Sequence, residues 1–162
     1  MERLWAPWRS VYVGQPETNG CFLCENPARQ DDKATYIVSR SPRAFAILNT
    51  YPYNSGHLMV APYRHIGEIE ELEAAEQWEM ADLVRKCLRA LRQAFNPHGF
   101  NIGMNLGRVA GAGVPGHLHM HIVPRWEGDS NFMPVIAGAK VVSEALDATY
   151  ERVYRAMNGQ GE

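Results

Sequence analysis

The sequence has few cysteines, no long apolar run and no excess of charge of one sign. Three cysteines among 162 residues are few and odd in number, which argues against the disulfide framework of a small secreted protein. No run of about 18 apolar residues predicts a membrane span, and the first residues lack the apolar stretch of a signal peptide. We therefore expect a cytoplasmic protein.

The charges nearly balance. With 16 basic and 18 acidic residues the formal net charge is −2, which gives no basic surface for a nucleic-acid duplex and predicts no nucleic-acid partner. The composition, 46% hydrophobic and 21% charged, is typical of a globular chain. At about 100–200 residues per domain, the sequence predicts one domain over 1–162.

The order of apolar patterns predicts an α+β fold. Strands are expected over 35–39, 44–48, 57–61, 100–106 and 117–124, with a long helix over 68–95. Ser143 is expected to cap a final helix over 143–157, and residues 1–33 are expected to be irregular. Short links between the strands favour a five-stranded antiparallel sheet with helices packed on one face.

Three histidines follow one another at every second residue. On a strand, His117, His119 and His121 would share one face and line an accessible surface, because alternate side chains point the same way. Such a row suits either a metal site or a nucleophile with helper groups. Few carboxylates lie near it in the sequence, and five glycines between Gly103 and Gly116 suit a loop that approaches phosphate. The pattern favours phosphorus chemistry.

Several stretches together resemble the histidine triad (HIT) family of nucleotide hydrolases and transferases. They are Cys21-Phe22-Leu23-Cys24, Ala46-Ile47-Leu48-Asn49, Gly56-His57-Leu58-Met59-Val60-Ala61-Pro62, Asn105-Leu106-Gly107 and the histidine run followed by Ile122-Val123-Pro124-Arg125. The segments 4–9 and 124–134 look like the bacterial branch related to diadenosine tetraphosphate phosphorylases. The resemblance implies the HIT-like fold.

For the reaction, the resemblance implies that His119 attacks the α-phosphorus of a dinucleoside polyphosphate and forms a nucleotidyl-histidine. Water would release the nucleotide in a hydrolase, and phosphate would release it in a phosphorylase. His121 would hold the phosphoryl oxygens, and His117 completes the triad. Substrate contacts are implied for the ribose-binding Asn49, for Asn105 and Gly107 near phosphate, and for the backbone of Ala112, Gly113 and Val114.

The sequence departs from several relatives in the loop before the triad. Gly113 and Val114 stand where those relatives carry a hydroxyl or amide side chain, so help for the leaving group must come from the backbone or from elsewhere. The choice between hydrolysis and phosphorolysis stays open. So do nucleoside phosphoramidate hydrolysis, a binding module with negligible turnover, and a metal-dependent hydrolase that uses all three histidines.

Two cysteines spaced as Cys21-x-x-Cys24 supply half of a tetrahedral zinc site. The resemblance implies that His65 and His117 complete it and that the zinc is structural. The rival interpretation is a reduced pair without metal, and a redox motif is disfavoured because no helix is predicted to begin beside the cysteines. The resemblance also implies a homodimer joined through a helix and a strand. Trp78 is expected to pack in the core or at an interface rather than to stack on a base, and Trp126 to contact either substrate or a partner subunit.

Overall fold

Five short strands form one antiparallel sheet. The computed structural model describes residues 20–130 and 144–159, and its strands are β1 (Ile37–Arg40), β2 (Ala44–Leu48), β3 (Leu58–Pro62), β4 (Gly99–Met104) and β5 (Met120–Arg125). Their order across the sheet is β1-β2-β3-β5-β4, and every neighbouring pair is antiparallel. The predicted five-stranded α+β fold is confirmed.

The helices are α1 (Phe22–Ala28), α2 (Asp32–Thr35), α3 (Ala74–Phe95) and α4 (Leu146–Asn158), with a 3-10 turn at Ile69–Glu71. Helix α3 begins later than predicted, because Glu73 and Glu76 form a capping box at its start and such a box fixes a helix N-terminus. It ends at Asn96, which adopts the left-handed conformation with φ 47°. The residue expected to cap the last helix, Ser143, lies outside the described residues.

The larger core lies between the sheet and the helices α3 and α4. Its fully buried side chains alternate along β2 and β3, as the two-residue period of a strand requires. From the strands come Ala44, Ala46, Leu48, Leu58 and Val60, and from α3 come Met80, Leu83, Cys87 and Leu91. Leu118 and Ile122 of the histidine run also lie here. The sheet therefore turns its other face toward the histidines.

A smaller core covers part of that other face. Leu23 of α1 packs with Ile37, Phe45, Ile47 and Met59. The prediction that residues 1–33 are irregular is therefore wrong over α1 and over the start of α2, which begins at Asp32. The short helix α1 contains Pro27 and has no repeating apolar pattern, so nothing in the sequence signalled it. The prediction of helices on one face holds for α3 and α4, and α1 adds a second layer opposite them.

Trp78 is the largest exposed apolar side chain on α3. It is 77% exposed, because the buried stripe of α3 passes through Met80, Leu83 and Cys87 instead. Trp78 therefore does not pack in the core of this chain, and its packing at an interface stays a prediction. No helix within the described residues has both the length and the apolar character needed to cross a membrane.

Candidate active site and metal cluster

The histidine run approaches β5 and enters it. The strand begins at Met120, so only His121 lies on it, and His117 and His119 lie in the segment just before. This segment precedes the residues of β5 that pair with β3 and β4. In it, the Leu118 amide donates instead to the Ile66 carbonyl at 2.6 Å. Leu118 and Ile122 point into the larger core, so the alternation predicted for this stretch is present.

The expectation of an accessible row of imidazoles is wrong for two of the three rings. His117 is fully buried and His119 is 5% exposed, whereas His121 is half-buried. These two rings are buried because each of them points inward and is hydrogen-bonded to groups inside the protein. His117 turns toward the cysteines, and His119 turns back onto the chain that precedes it. The triad therefore divides between two tasks.

His119 has a defined tautomer. Its Nδ1 lies 2.7 Å from the carbonyl oxygen of His117, and a carbonyl can only accept, so Nδ1 carries the hydrogen. Burial lowers the pKa of His119 below the ordinary histidine value, which keeps the ring neutral near pH 7. The other nitrogen, Nε2, then has no hydrogen and presents a lone pair, as a nucleophilic imidazole requires.

His121 faces a fourth histidine that sequence reasoning left without a role. The Nδ1 of His121 lies 2.9 Å from the Nε2 of His57. His57 is fully buried and is the last residue before β3. The Tyr53 amide donates to His57 Nδ1 at 3.1 Å. Burial, and to a smaller extent the neighbouring His119, lowers the pKa of His121 to about 4. The only sequence signal for His57 was its place in a motif quoted for the resemblance.

The second cluster joins Cys21, Cys24, His65 and His117. The His117 Nδ1 lies 3.3 Å from each of the two sulfurs, and the His65 Nδ1 lies 3.3 Å from the Cys24 Sγ. All four ligand atoms lie within 4.8 Å of one another. In a tetrahedral zinc site with ordinary bond lengths, sulfur and nitrogen ligands are about 3.6 Å apart. The predicted set of four residues is therefore brought together at distances that fit such a metal.

A backbone hydrogen bond orients His117, and an ion pair anchors the segment that carries His65. The His117 Nε2 donates to the Pro62 carbonyl at 2.8 Å, which leaves Nδ1 as the nitrogen that can bind a metal. Next to His65, the Arg64 guanidinium binds the buried Glu76 carboxylate at 2.6 and 2.7 Å. That ion pair ties the segment carrying His65 to helix α3.

The expectation that no helix begins beside the cysteine pair is wrong. Helix α1 begins directly after Cys21, so a helix N-terminus does lie beside the cysteine pair. Burial, together with the neighbouring Cys21, nevertheless raises the pKa of the Cys24 thiol to about 11, opposite to the low pKa of a reactive thiol. Within the described residues, this cluster is the only group of three or more potential metal ligands close together, so the three histidines of the triad do not form a metal site.

The predicted substrate-binding residues lie on two sides of the triad. Asn49 directly follows β2 and places its amide nitrogen 3.5 Å from His57 Nδ1. Asn105 directly follows β4, whose last residue pairs with Met120, so the antiparallel register continued by one residue would set Asn105 opposite His119. The Asn105 amide donates to the Gly111 carbonyl at 3.4 Å and so closes the glycine-rich loop.

Within that loop, Gly107 has φ 78°, a conformation that favours glycine. The Ala112 amide donates to the Gly107 carbonyl over a long 3.4 Å. Among the described residues, no backbone acceptor pairs with the amides of Gly113 and Val114. The loop therefore has N–H groups that a phosphate oxygen could use, and their contact with substrate stays a prediction.

A hydrogen-bonded clamp secures the loop that carries His57. The buried Asn54 donates to the Pro124 carbonyl at 3.0 Å and to Asp129 at 2.7 Å, and Arg125 binds the same carboxylate at 2.6 and 2.8 Å. The guanidinium of Arg125 holds the pKa of Asp129 well below its usual range. Next to the clamp is a cleft of about 330 Å³, lined by Tyr53, Asn54, Asn101, Ile102, Gly103, His121, Val123 and Arg125.

Comparison with known proteins agrees with this arrangement. An AP-4-A phosphorylase of Mycobacterium tuberculosis is 40% identical over 157 residues, which cover 92% of this chain and 80% of that one. An asymmetrical bis(5'-nucleosyl)-tetraphosphatase of Schizosaccharomyces pombe is 33% identical over 57% of this chain and 50% of its own length. A solved structure of a hypothetical histidine triad nucleotide-binding protein from Sulfolobus tokodaii superposes with a TM-score of 0.66 at 30% identity, covering 85% of this chain and 89% of that one.

The HIT domain matches residues 30–128, a range that holds the whole histidine run, the glycine-rich loop and His57. The segment 4–9, which the resemblance also used, lies outside the described residues. Fold, motif and sequence similarity agree, and the chain belongs to the HIT family.

Proposed function

We propose that this protein is an enzyme that cleaves dinucleoside polyphosphates of the diadenosine tetraphosphate class at the α-phosphorus, through a nucleotidyl intermediate on His119. The observation that carries the proposal is the hydrogen bond of 2.7 Å from His119 Nδ1 to the His117 carbonyl, because it leaves Nε2 unprotonated. The similarity to the AP-4-A phosphorylase supports the choice of substrate class.

In the first half of the reaction, His119 Nε2 attacks the α-phosphorus. The P–N bond forms as the bond from phosphorus to the bridging oxygen breaks, and the departing nucleoside polyphosphate takes the electron pair. The imidazole becomes positively charged, and the hydrogen bond from Nδ1 to the His117 carbonyl strengthens as that charge develops. The half-buried His121, whose ring centroid lies 4.9 Å from that of His119, would hold the phosphoryl oxygens.

Around the phosphate, the amides of Gly113 and Val114 are the proposed donors for the developing negative charge. Backbone donors would thus replace the hydroxyl or amide side chain that this loop lacks. Asn49 would bind the ribose, and Asn105 and Gly107 would shape the phosphate end of the site. Asn49 and the loop lie on opposite sides of His119, which suits a nucleotide that spans the triad.

In the second half, an acceptor oxygen attacks phosphorus, the P–N bond breaks, and its electron pair returns to Nε2. Inorganic phosphate as acceptor gives ADP and ATP from diadenosine tetraphosphate, and water gives AMP and ATP. The 40% identity to a phosphorylase over most of the chain favours phosphate. The similarity to the tetraphosphatase keeps hydrolysis as the second candidate.

The four-residue cluster is the proposed site of a structural zinc ion, held by Cys21, Cys24, His65 and His117. Two thiolates and two imidazoles suit zinc, and the Pro62 carbonyl fixes the tautomer that His117 needs. A bound zinc ion supplies a cross-link between α1 and the segment before β5. We also propose one domain over 1–162, a cytoplasmic location and a homodimer.

The dimer proposal is supported by β4, which is one of the two edge strands of the sheet and whose Asn101, Ile102 and Gly103 are exposed. Unpaired edge strands invite pairing with another chain. Light scattering should give the mass of two chains, and a single-chain mass would contradict this part of the proposal.

The test of the activity is incubation of the purified protein with diadenosine tetraphosphate, with and without inorganic phosphate, and chromatography of the products. ADP and ATP that appear only with phosphate would establish a phosphorylase, and AMP and ATP without phosphate a hydrolase. No turnover under either condition would overturn the proposed activity and leave phosphoramidate hydrolysis or nucleotide binding without turnover.

A further inference from the structure

The segment that leaves β3, residues 62–66, lies beside the histidine run and is hydrogen-bonded to it at two places. The Pro62 carbonyl accepts from the His117 ring at 2.8 Å. The Ile66 carbonyl accepts from the Leu118 amide at 2.6 Å. The two bonds hold consecutive residues of the histidine run, one through a side chain and one through the backbone.

The bond to Ile66 acts on the peptide group that fixes the tautomer of His119. The amide of Leu118 and the carbonyl of His117 belong to one planar peptide unit. This unit donates to Ile66 through its N–H and accepts from His119 Nδ1 at 2.7 Å through its carbonyl oxygen. Hydrogen bonds in such a chain polarise one another. The Ile66 carbonyl therefore both orients and strengthens the acceptor to which the proposed nucleophile is bonded.

Arg64, in the middle of the segment 62–66, anchors it to the start of helix α3. Its guanidinium donates to the two carboxylate oxygens of Glu76 at 2.6 and 2.7 Å, and to the Glu71 carbonyl at 2.8 Å. The Ile66 amide donates to the Arg64 carbonyl at 3.1 Å. The residue whose side chain is anchored is thus bonded through its backbone to the residue that holds the peptide group.

Glu76 is itself fixed in place. Its side chain is 4% exposed, and its carboxylate accepts from the Glu73 amide at 2.9 Å in the capping box of α3. The hydrogen-bonded guanidinium of Arg64 lowers the pKa of Glu76 below the ordinary carboxyl value, so the pair is ionised near pH 7. A two-pronged arginine–carboxylate pair fixes geometry as well as adding energy. One series of bonds therefore leads from the start of α3 to the peptide group that binds His119.

We propose that Arg64 is a positioning residue for His119: held by Glu76, it fixes the segment 62–66 so that the Ile66 carbonyl orients the peptide group that binds the His119 ring. This inference rests on the proposed function, since it concerns the same nucleophile. Arg64 and Glu76 touch no substrate in this scheme. Without the anchor, the His117 carbonyl would be free to turn, and the His119 ring would lose its aligned acceptor.

Arg64→Met removes the anchor, and Arg43→Met is its control. Arg43 also pairs with a glutamate of α3, Glu79, at 2.7 Å, and its side chain is 50% exposed against 45% for Arg64. The Arg43 carbonyl accepts from the Tyr63 amide, and this backbone bond to the same segment is kept in the control. The two variants therefore differ in whether the lost ion pair lies behind the Ile66 carbonyl.

We expect Arg64→Met to lower kcat by about 10²-fold, because a small misplacement of a reacting group has an effect of this order. KM should change less than kcat, since the residues proposed to bind the nucleotide are untouched. Arg43→Met should keep a kcat close to that of the wild type. A wild-type kcat in Arg64→Met, or an equal loss in both variants, would overturn the inference.

A double variant separates rate from stability. Arg64→Met alone leaves the buried charge of Glu76 unpaired, which destabilises a fold strongly. Adding Glu76→Gln removes that charge and keeps an acceptor for the Glu73 amide, since glutamine also completes a capping box. We expect the double variant to recover much of the lost free energy of unfolding while its kcat stays low. Recovery of kcat together with stability would show that Arg64 serves the fold alone, and would overturn the inference.

A readout without substrate distinguishes this inference from the proposed function. Hydrogen exchange of the Leu118 amide reports its bond to Ile66, and long-range ¹H–¹⁵N correlation spectra report which ring nitrogen of His119 carries hydrogen. In the wild type and in Arg43→Met we expect a slowly exchanging amide and hydrogen on Nδ1. In the double variant we expect faster exchange and a mixture of tautomers.

The outcomes of this measurement are separable from those of the activity assay. Slow exchange and a single His119 tautomer in the double variant would overturn the inference even if the wild-type enzyme is active. If the wild type turns over no diadenosine tetraphosphate but the spectra of the variants differ as expected, the orienting role of Arg64 stands and the proposed function alone is overturned.

Discussion

His117 and His121 are the same residue type, four positions apart on one side of the chain, and they are equipped for different chemistry. The Nε2 of His117 donates to the Pro62 carbonyl, and its Nδ1 faces two sulfurs. The Nδ1 of His121 faces another histidine, and the ring borders an open cleft. The difference shows that the function of each imidazole depends on the group to which its second ring nitrogen is hydrogen-bonded.

Between them, His119 links the two ends. Its Nδ1 donates to the carbonyl of His117, the same residue whose ring belongs to the metal cluster. The position of the proposed nucleophile therefore depends on the backbone of a residue of the proposed metal site. The metal end of the run, at His117, should govern stability and the alignment of the His119 ring. The reaction end, at His119 and His121, should govern cleavage of the phosphorus–oxygen bond.

The largest expected effect comes from removing the nucleophile at the reaction end. His119→Ala should lower kcat by a factor of about 10⁴ or more, because loss of a covalent nucleophile removes the main reaction route. Metal content, measured by elemental analysis, should stay at the wild-type level. A nucleotidyl adduct still detected by mass spectrometry in this variant would contradict the assignment of His119.

The converse change removes a ligand at the metal end. Cys24→Ala should abolish tight zinc binding and lower the free energy of unfolding by about 3 kcal/mol or more, because structural zinc binding is itself folding free energy. Cys87→Ala is the control: it likewise removes one thiol, here a buried one on α3, but should keep the metal. A chelator should lower the Tm of the wild type and of Cys87→Ala, and leave that of Cys24→Ala unchanged. Equal zinc content in both variants would contradict the proposed ligand set.

Local pattern predicted the sheet and the ligand types well. Strand β2 matches its predicted range, Ala44–Leu48, because both of its faces are buried and its residues are uniformly apolar. The four residues of the proposed metal site were identified through the resemblance, and the structure brings them together. The start of β5 was placed too early, because nothing local in the sequence shows that Leu118 bonds to Ile66.

Hydrogen-bond partners distant in the chain were not predictable. His57 and His121 are separated by 64 residues, and a lone histidine before an apolar strand gives no sign of its partner. The same holds for Asn54, whose acceptor Pro124 is 70 residues away. Sequence identified which residues carry chemistry, and only the fold shows which nitrogen of each ring is used.

A smaller effect is expected from the clamp that holds the His57 loop beside β5. Asn54→Ala should lower the free energy of unfolding by about 1–3 kcal/mol, because it leaves the Pro124 carbonyl without this donor in a buried site. Asn101→Ala is the control, since among the described residues this exposed amide accepts a hydrogen bond just from the Arg125 side chain, and its loss should cost less than about 0.5 kcal/mol. Chemical denaturation measures both, and equal losses would show that the clamp does not stabilise the fold.

The smallest expected effect is a pH dependence of stability from His121. Burial lowers its pKa in the folded protein to about 4, against about 6.5 in an unfolded chain. The unfolded chain therefore binds more protons between these values, and stability should fall as the pH drops from 6.5 toward 4. From pH 7 to 6 this one group should cost less than about 1 kcal/mol. The groups facing the ring are His57, His119 and the phenol ring of Tyr53, so there is no carboxylate among them to stabilise a positive charge on His121.

His121→Gln should reduce the slope of the unfolding free energy against pH between pH 6.5 and pH 4. An unchanged slope would show that His121 is protonated as readily in the folded protein as in the unfolded chain.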